Sequence, residues 1–334
     1  MYYSFVIPVY NRPDEIKELL ESMTRQTYKK SFEVVIVEDG SFVDCQYVVD
    51  EYNSRLSISY FLKENSGPGN SRNYGMKRAK GDYFIILDSD CILPAEYLEE
   101  VDAYLNQKYV DCFGGPDAAL PSFSDVQKAI NFTMTSVLTT GGIRGTSERL
   151  SKFQPRSFNM GISKKAFELT EGFGSIHPGE DPDLSIRLWN KGFNSDLFPK
   201  AFVYHKRRID WKKFYQQVYK FGKARPILNQ RYPEFSRLTY WFPTIFCLGM
   251  LVSFLLIFID IYIPITLYIA YLITLAVACY IKEKSIKISV LTIIATLIQF
   301  YGYGKGFLIS TYKLFIIGKK AEESMPEMFF KLEK

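Results

Sequence analysis

Short apolar runs alternate with amphipathic stretches through the first two hundred residues of the chain. Residues 3–9 are β-rich and apolar, and they close on Tyr10-Asn11-Arg12-Pro13, a turn with proline near the first helical position. Residues 14–26 then set Ile16, Leu19, Leu20 and Met23 on one helical face. The strand pattern recurs at 32–37, 58–62 and 83–87. Between these runs lie a helix predicted over 43–54 and a glycine turn, 65–73, leading into a helix that reaches Ala79. Apolar runs of this length bounded by polar residues suit strands covered on both faces. Strands alternating with helices predict βαβ units and a mostly parallel sheet, an α/β fold of Rossmann-like type.

Further along, the pattern predicts a helix over 94–107 and a strand over 109–115 that opens into glycines. Residues 117–151 are polar and weakly periodic, which predicts a helix plus a mobile loop. An extended stretch at 154–162 precedes a short helix at 163–169. The segment 180–192 reads as a helix with Pro182 near its start, Leu184, Leu188 and Trp189 on its buried face and Gly192 as its cap. A strand at 201–204 follows.

The pattern then changes. Residues 209–223 place Trp211, Phe214, Tyr215, Val218 and Gly222 on one helical face and Lys212, Lys213, Gln216, Lys220 and Lys223 on the other. Such a helix either lies on an anionic membrane surface or packs on a core with a solvated basic face; the apolar tail beside it favours the membrane. Residues 241–259 and 261–281 are almost free of charge and long enough to cross a bilayer, with Asp260, Tyr262 and Pro264 forming the turn between them. The apolar run 288–317 is broken by Gly302, Gly304, Lys305 and Gly306, which leaves three readings: a third span, a re-entrant hairpin or an interfacial helix. Residues 319–334 read as an amphipathic segment on the membrane surface. Three parts follow: a catalytic-looking domain at 1–205, a basic segment at 206–237 and a membrane region at 238–334.

Charge sharpens this division. Residues 1–204 carry net −6, residues 205–237 net +8 and residues 238–334 net +3, within a total of +5. No zinc-finger, RRM-like or helix-turn-helix pattern accompanies the basic segment, so nucleic acid is not an expected partner. Lys282, Lys284 and Lys287 fall on the same side of the two spans as that segment, as the positive-inside rule requires of a cytosolic catalytic domain. Five cysteines without a C-x-x-C spacing argue for a reducing compartment. The first residues have no basic region or small-residue cleavage site and read directly as a strand. The expected location is the inner (plasma) membrane, multi-pass, with the first domain cytoplasmic.

Candidate chemistry sits at the strand ends. The run 83–87 ends in Asp88-Ser89-Asp90, and alternate residues of an extended segment point the same way. Two adjacent carboxylates at the carboxyl edge of an open α/β sheet invite a divalent cation such as Mg²⁺ or Mn²⁺; the alternative is a solvated turn with capping aspartates. Asp39 ends the second strand, as a hydrogen-bond acceptor for a base or ribose or as an ordinary turn residue before Gly40. Glu180-Asp181 opens a helix, where acids are ordinary dipole partners. His205 gains interest only beside a metal. The first βα turn has neither G-x-G-x-x-G nor G-x-x-x-x-G-K-[ST], which removes the main support for dinucleotide and P-loop readings.

Taken together, VIPVYNRPDEIKELLESMTRQTY at 6–28, VIVEDGS at 35–41, NSGPGNSRNYGMKRAKGDYFIILDSDC at 65–91 and GEDPDLSIRLWNKGF at 179–193 resemble the inverting glycosyltransferases of family 2, of membrane-anchored bacterial type. The resemblance covers about residues 1–205 and implies the nucleotide-diphospho-sugar GT-A fold. It implies that Asp39 holds the nucleobase or ribose, that Asp88 and Asp90 bind metal and diphosphate, and that His205 completes the metal site. It further implies Asp181 as general base, with Pro8, Tyr10 and Arg72 lining the nucleotide pocket. The implied donor is a nucleotide-sugar and the cofactor a divalent cation. There is no Q-x-x-R-W, so one sugar per encounter is expected. CILPAEYL after the two aspartates lacks the D-L-Q-D-P-P-E run of polyprenyl-phosphate enzymes, which favours a hydroxyl of a lipid-linked or cell-surface glycan as acceptor. The alternatives are a polyprenyl-phosphate glycosyltransferase and a non-catalytic, membrane-tethered nucleotide-sugar-binding protein.

Overall fold

The computed structural model describes residues 1–118, 123–140, 153–205 and 210–330. They gather into two compact units, one from Met1–Leu120, Thr146–Lys206 and Phe329–Lys334, the other from Pro121–Gly145 and Arg207–Met328. The chain therefore crosses between units more often than the three-part division above implies. Most of the loop expected within 117–151 lies outside the described residues.

In the first unit, β1 (Tyr3–Val9), α1 (Pro13–Thr24), β2 (Glu33–Asp39), α2 (Gln46–Tyr52), β3 (Ser57–Lys63), α3 (Pro68–Arg78) and β4 (Tyr83–Leu87) form successive βαβ units. Then come β5 (Cys91–Ile92), α4 (Tyr97–Gln107), β6 (Cys112–Gly114) and β7 (Asp117–Ala118). After the part of the chain that joins the second unit, β8 (Asn159–Ser163), α7 (Lys164–Thr170), α8 (Glu180–Asn190), β9 (Ser195–Leu197) and β10 (Val203–His205) complete it. The main sheet has the order β3-β2-β1-β4-β8-β6-β9, with only β8 antiparallel to its neighbours. It is mixed and mostly parallel, as the alternating pattern predicts. β4 is buried along its whole length because both faces are covered. Phe5, Ile7 and Ile85 meet Ile16, Leu19 and Leu20 of α1 on one face, while Val6, Val35, Phe84 and Ile86 meet Met76, Phe167, Leu184 and Leu188 on the other. β5, β10 and β7 form a second, three-stranded sheet.

The second unit is helical: α5 (Asp125–Thr135), α6 (Val137–Thr140), α9 (Trp211–Arg231), α10 (Phe242–Leu256), α11 (Ile263–Glu283) and α12 (Ile286–Thr311). Three of its segments, Leu238–Ile259, Ile263–Glu283 and Ile286–Ile316, are long and apolar enough to cross a membrane. The last narrows the three readings that the sequence leaves open for 288–317. The helix runs unbroken through Gly302, Gly304, Lys305 and Gly306, so a re-entrant hairpin is ruled out. These glycines admit neighbouring backbone. A Cβ on Gly306 would run into the Tyr219 carbonyl of α9, and one on Gly222 of α9 into the Tyr303 carbonyl of α12.

Gly306→Ala and Gly222→Ala are each expected to destabilise this crossing by about 1–3 kcal/mol, the usual cost of overpacking. Thermal unfolding in detergent micelles reads this as a lowered midpoint; unchanged midpoints in both variants contradict the close approach.

Lys223 corrects one sequence expectation. It is buried and ion-paired with Glu327 rather than displayed on the basic face of α9, where Lys212, Lys213 and Lys220 do stand exposed. Residue 209, the expected start of this helix, and the last residues of the 319–334 segment lie outside the described residues.

Candidate active site

Because β1, β2 and β4 run parallel, their carboxyl ends open on one edge, where open α/β sheets bind ligands. Asp88 and Asp90 leave β4 there. β10 pairs with β5 so that His205 stands opposite Cys91, and this brings His205 Nε2 to 3.1 Å from Asp90 Oδ1. The imidazole is stacked on Phe158 at 5.0 Å. Asp90, Cys91 and His205 offer donor atoms within 4.8 Å of one another. Burial holds the Cys91 thiol well above its ordinary range, and the thiol is turned toward the Phe158 carbonyl at 3.4 Å. The donors left are carboxylate oxygen and imidazole nitrogen, with Asp88 beside them, a set that fits Mg²⁺ or Mn²⁺.

Two arginines meet these acids. Arg12, just past β1, pairs with Asp90 Oδ2 at 2.8 Å. Arg72, in the first turns of α3 and only 4% exposed, donates Nη2 to Asp88 Oδ1 at 2.8 Å. Its Nη1 lies 3.5 Å from Glu180 Oε1, and its guanidinium sits 5.2 Å from the centre of the Phe173 ring. Arg72 Nε and Nη1, like Ser71 Oγ beside them, are buried with no hydrogen-bond partner among the described residues.

Arg72 thereby links Asp88 to the start of α8. Glu180 is buried, takes a hydrogen bond from His177 Nδ1 at 2.9 Å and another from the Gly179 amide at 2.9 Å. Burial alone would raise its pKa; His177 and Arg72 outweigh it and hold the carboxyl well below its ordinary value. Asp181 behaves oppositely. Burial, reinforced by the charge of Glu180, lifts its pKa above the ordinary 3.8, and Arg72, Arg156 and a hydrogen bond from Ser157 only partly offset this. Asp181 Oδ1 is buried with no hydrogen-bond partner among the described residues. Two neighbouring carboxyls pushed in opposite directions mark a functional-site candidate.

The remaining sequence candidates are placed differently. Asp39 accepts from Lys63 Nζ at 3.0 Å, the Ser66 amide at 2.9 Å and the Gly67 amide at 3.0 Å. A carboxylate has about four acceptor sites, so Asp39 spends most of its capacity organising the 65–67 turn. Pro8 is half-buried on β1 beside Val37, and Tyr10 stands 45% exposed past the strand end. The sequence pattern does not single out Arg12 or His177, and it offers Glu180 only as an acid at the start of a helix, beside Asp181. The strand-edge rule that selects Asp88 and Asp90 also applies to Arg12, and the spacing of His177 and Glu180 allows their contact.

Comparison with known proteins identifies the family and the fold. The model of the family described as Glycosyl transferase family 2 matches residues 4–168. The poly(ribitol-phosphate) beta-N-acetylglucosaminyltransferase TarS of Staphylococcus aureus is 33% identical over 114 residues, which cover 33% of this chain and 20% of TarS. An uncharacterized glycosyltransferase of Haemophilus influenzae is 40% identical over 106 residues, 31% of this chain and 34% of that protein. The matched stretches thus span 20% and 34% of these relatives' own length. Among solved structures, the mannosyltransferase PcManGT of Pyrobaculum calidifontis, in complex with GDP-Man and Mn²⁺, superposes with a TM-score of 0.58 at 14% identity, over 95% of this chain and 87% of that one. Through residues 4–168 the chain belongs to glycosyltransferase family 2, with a GT-A-type α/β domain.

Proposed function

We propose that the protein is an inverting, metal-dependent glycosyltransferase that moves one sugar from a nucleotide-diphospho-sugar to a hydroxyl of a lipid-linked or cell-surface glycan precursor. The observation that carries this reading is the set of contacts from His205 and Arg12 to Asp90, and from Asp88 through Arg72 to Glu180, the chain neighbour of Asp181. Asp88, Asp90 and His205 would hold the divalent cation, which when bound supplies charge stabilisation to the departing diphosphate. Arg72 fits the same task, since its buried Nε and Nη1 are donors awaiting an anionic oxygen. Asp39 contributes to nucleotide binding by fixing the 65–67 turn and, through its remaining acceptor capacity, by contacting base or ribose. Pro8 and Tyr10 line the same edge.

Asp181 is the group proposed to take the proton from the acceptor hydroxyl. Its raised pKa makes it a better base than a solvated aspartate, and Glu180, held ionised by His177 and Arg72, keeps it so. A base must be unprotonated to act, so kcat falls as pH drops through the Asp181 value. The acid limb of the pH–kcat profile is therefore expected above the ordinary 3.8. A limb at or below that value contradicts the assignment.

The apolar segments and the exposed lysines of α9 support attachment to an anionic leaflet, with the first unit on the cytosolic side of the inner membrane. The direct test is incubation of purified protein with a panel of nucleotide-sugars, Mn²⁺ and membrane lipid extract, reading nucleoside diphosphate release and transfer of labelled sugar. Stable glycosidic product supports the reading. Acid-labile product assigns the sugar to a phosphate, as in the polyprenyl-phosphate alternative, and donor left intact throughout overturns an enzymatic role.

A further inference from the structure

The chain returns to the first unit at its last described residues. Phe329 forms an antiparallel bridge with Ile176, and the Phe330 amide donates to the Ser175 carbonyl at 2.8 Å. The Phe330 ring lies 5.4 Å from the His177 ring and packs against Gly67, where a Cβ would collide with it. Gly67 holds φ +92° at the start of α3, and its amide is one of those bound by Asp39. The ring therefore touches two parts of the site that are far apart in sequence: the turn that opens α3, with Arg72 in its first turns, and the loop that carries His177 to Glu180. Only a residue without a side chain admits the ring this close to the α3 turn, so the fit is specific to this pair.

The 173–179 loop is tied at its far end to Glu180, which accepts from His177 Nδ1 and the Gly179 amide. Asn73 fixes its beginning by a reciprocal pair with the Phe173 backbone, at 2.9 and 2.8 Å. The stretch from Ser175 to His177 is bound instead by the returning chain. His177 is also the hydrogen-bond partner that keeps Glu180 ionised, and Glu180 in turn faces Arg72.

We propose that Phe330 is a positioning residue for the transfer reaction: by clamping the 175–177 loop against the α3 turn it sets where His177 holds Glu180, and so where Asp181 stands relative to the acceptor. The proposal rests on the glycosyltransferase reading for its effect on rate, but its structural part stands independently. Misplacing a reacting group by about 1 Å can cost up to about 10²-fold.

Phe330→Ala, made in the full chain in detergent micelles or nanodiscs, is expected to lower kcat about tenfold while the donor KM changes less than about threefold, since the aspartates and Arg72 remain. Phe330→Tyr keeps the ring and is expected to restore the rate. Hydrogen exchange is the second measurement. Backbone amides of 173–181 should exchange faster in Phe330→Ala and return toward wild type in Phe330→Tyr, with those of β4 unchanged in both. Exchange in 173–181 identical to wild type in Phe330→Ala overturns the clamp whether or not transfer is detected. Faster exchange there with unchanged kcat overturns its role in catalysis. Wild-type protein inactive with every donor refutes the transferase reading and with it the rate effect, and exchange still decides the clamp.

Discussion

Asp181→Asn is expected to lower kcat by about 10³-fold, within the range that a positioned general base contributes, while the nucleoside diphosphate still binds. Asparagine keeps the shape and the Ser157 contact but cannot accept a proton. The binding groups, Asp88, Asp90, Arg12, Arg72 and His205, come from other elements and keep the ion pairs they make with one another. The side chain replaced has one buried oxygen without a hydrogen-bond partner among the described residues, so the loss should appear in turnover rather than in folding. Steady-state kinetics together with thermal unfolding checks this. A variant with wild-type kcat removes Asp181 from the chemistry.

Arg72→Met should damage both stability and activity. Arg72 is buried among Asp88, Glu180 and Asp181, whose charges keep its pKa above the ordinary arginine value although burial alone would lower it. Removing one partner of a buried ionic cluster costs about 3–5 kcal/mol, because the remaining charges lose their compensation. For a unit of this size that corresponds to a fall in Tm of about 10 °C. The sign of the pH dependence follows from Glu180. Its pKa in the folded protein is depressed, so its stabilisation is present above its unfolded value and lost as pH falls. Without Arg72 part of that depression disappears, so the gap between wild type and Arg72→Met should be widest near neutrality and narrow as pH drops through the ordinary glutamate range. Thermal scans at several pH values measure this. A gap that widens toward acid contradicts the pairing.

Much of the fold can be read from residue patterns because the relevant runs are long and buried on both faces. Tyr3–Val9 and Tyr83–Leu87 are strands at the expected positions. The far half of the sheet is less legible. β6 and β9 have only three residues each and β5 and β7 two, too short to show a period, and nothing in the 159–163 sequence announces that β8 runs antiparallel. Asp88 and Asp90 could be singled out because a strand end announces itself. Arg12 and His177 could not, since their importance comes from partners 78 and 3 residues away. Asp39 shows the opposite limit: a strand-end acid is easily found, but its sequence does not say that Lys63 and two amides of the next loop take up most of its acceptors. The exposed face of α9 follows from helical spacing, whereas the burial of Lys223 depends on Glu327, about a hundred residues further on.

The central claim is a division of labour, with Asp88, Asp90 and His205 binding a cation-bridged diphosphate and Asp181 acting on the acceptor. Calorimetric titration of wild type, Asp90→Asn and Asp181→Asn with a nucleoside diphosphate, with and without Mn²⁺, tests it most directly. The account predicts that Mn²⁺ tightens binding in wild type and Asp181→Asn alike, and that this gain is lost in Asp90→Asn. Equal gains in all three proteins, or a gain lost in Asp181→Asn alone, would contradict it.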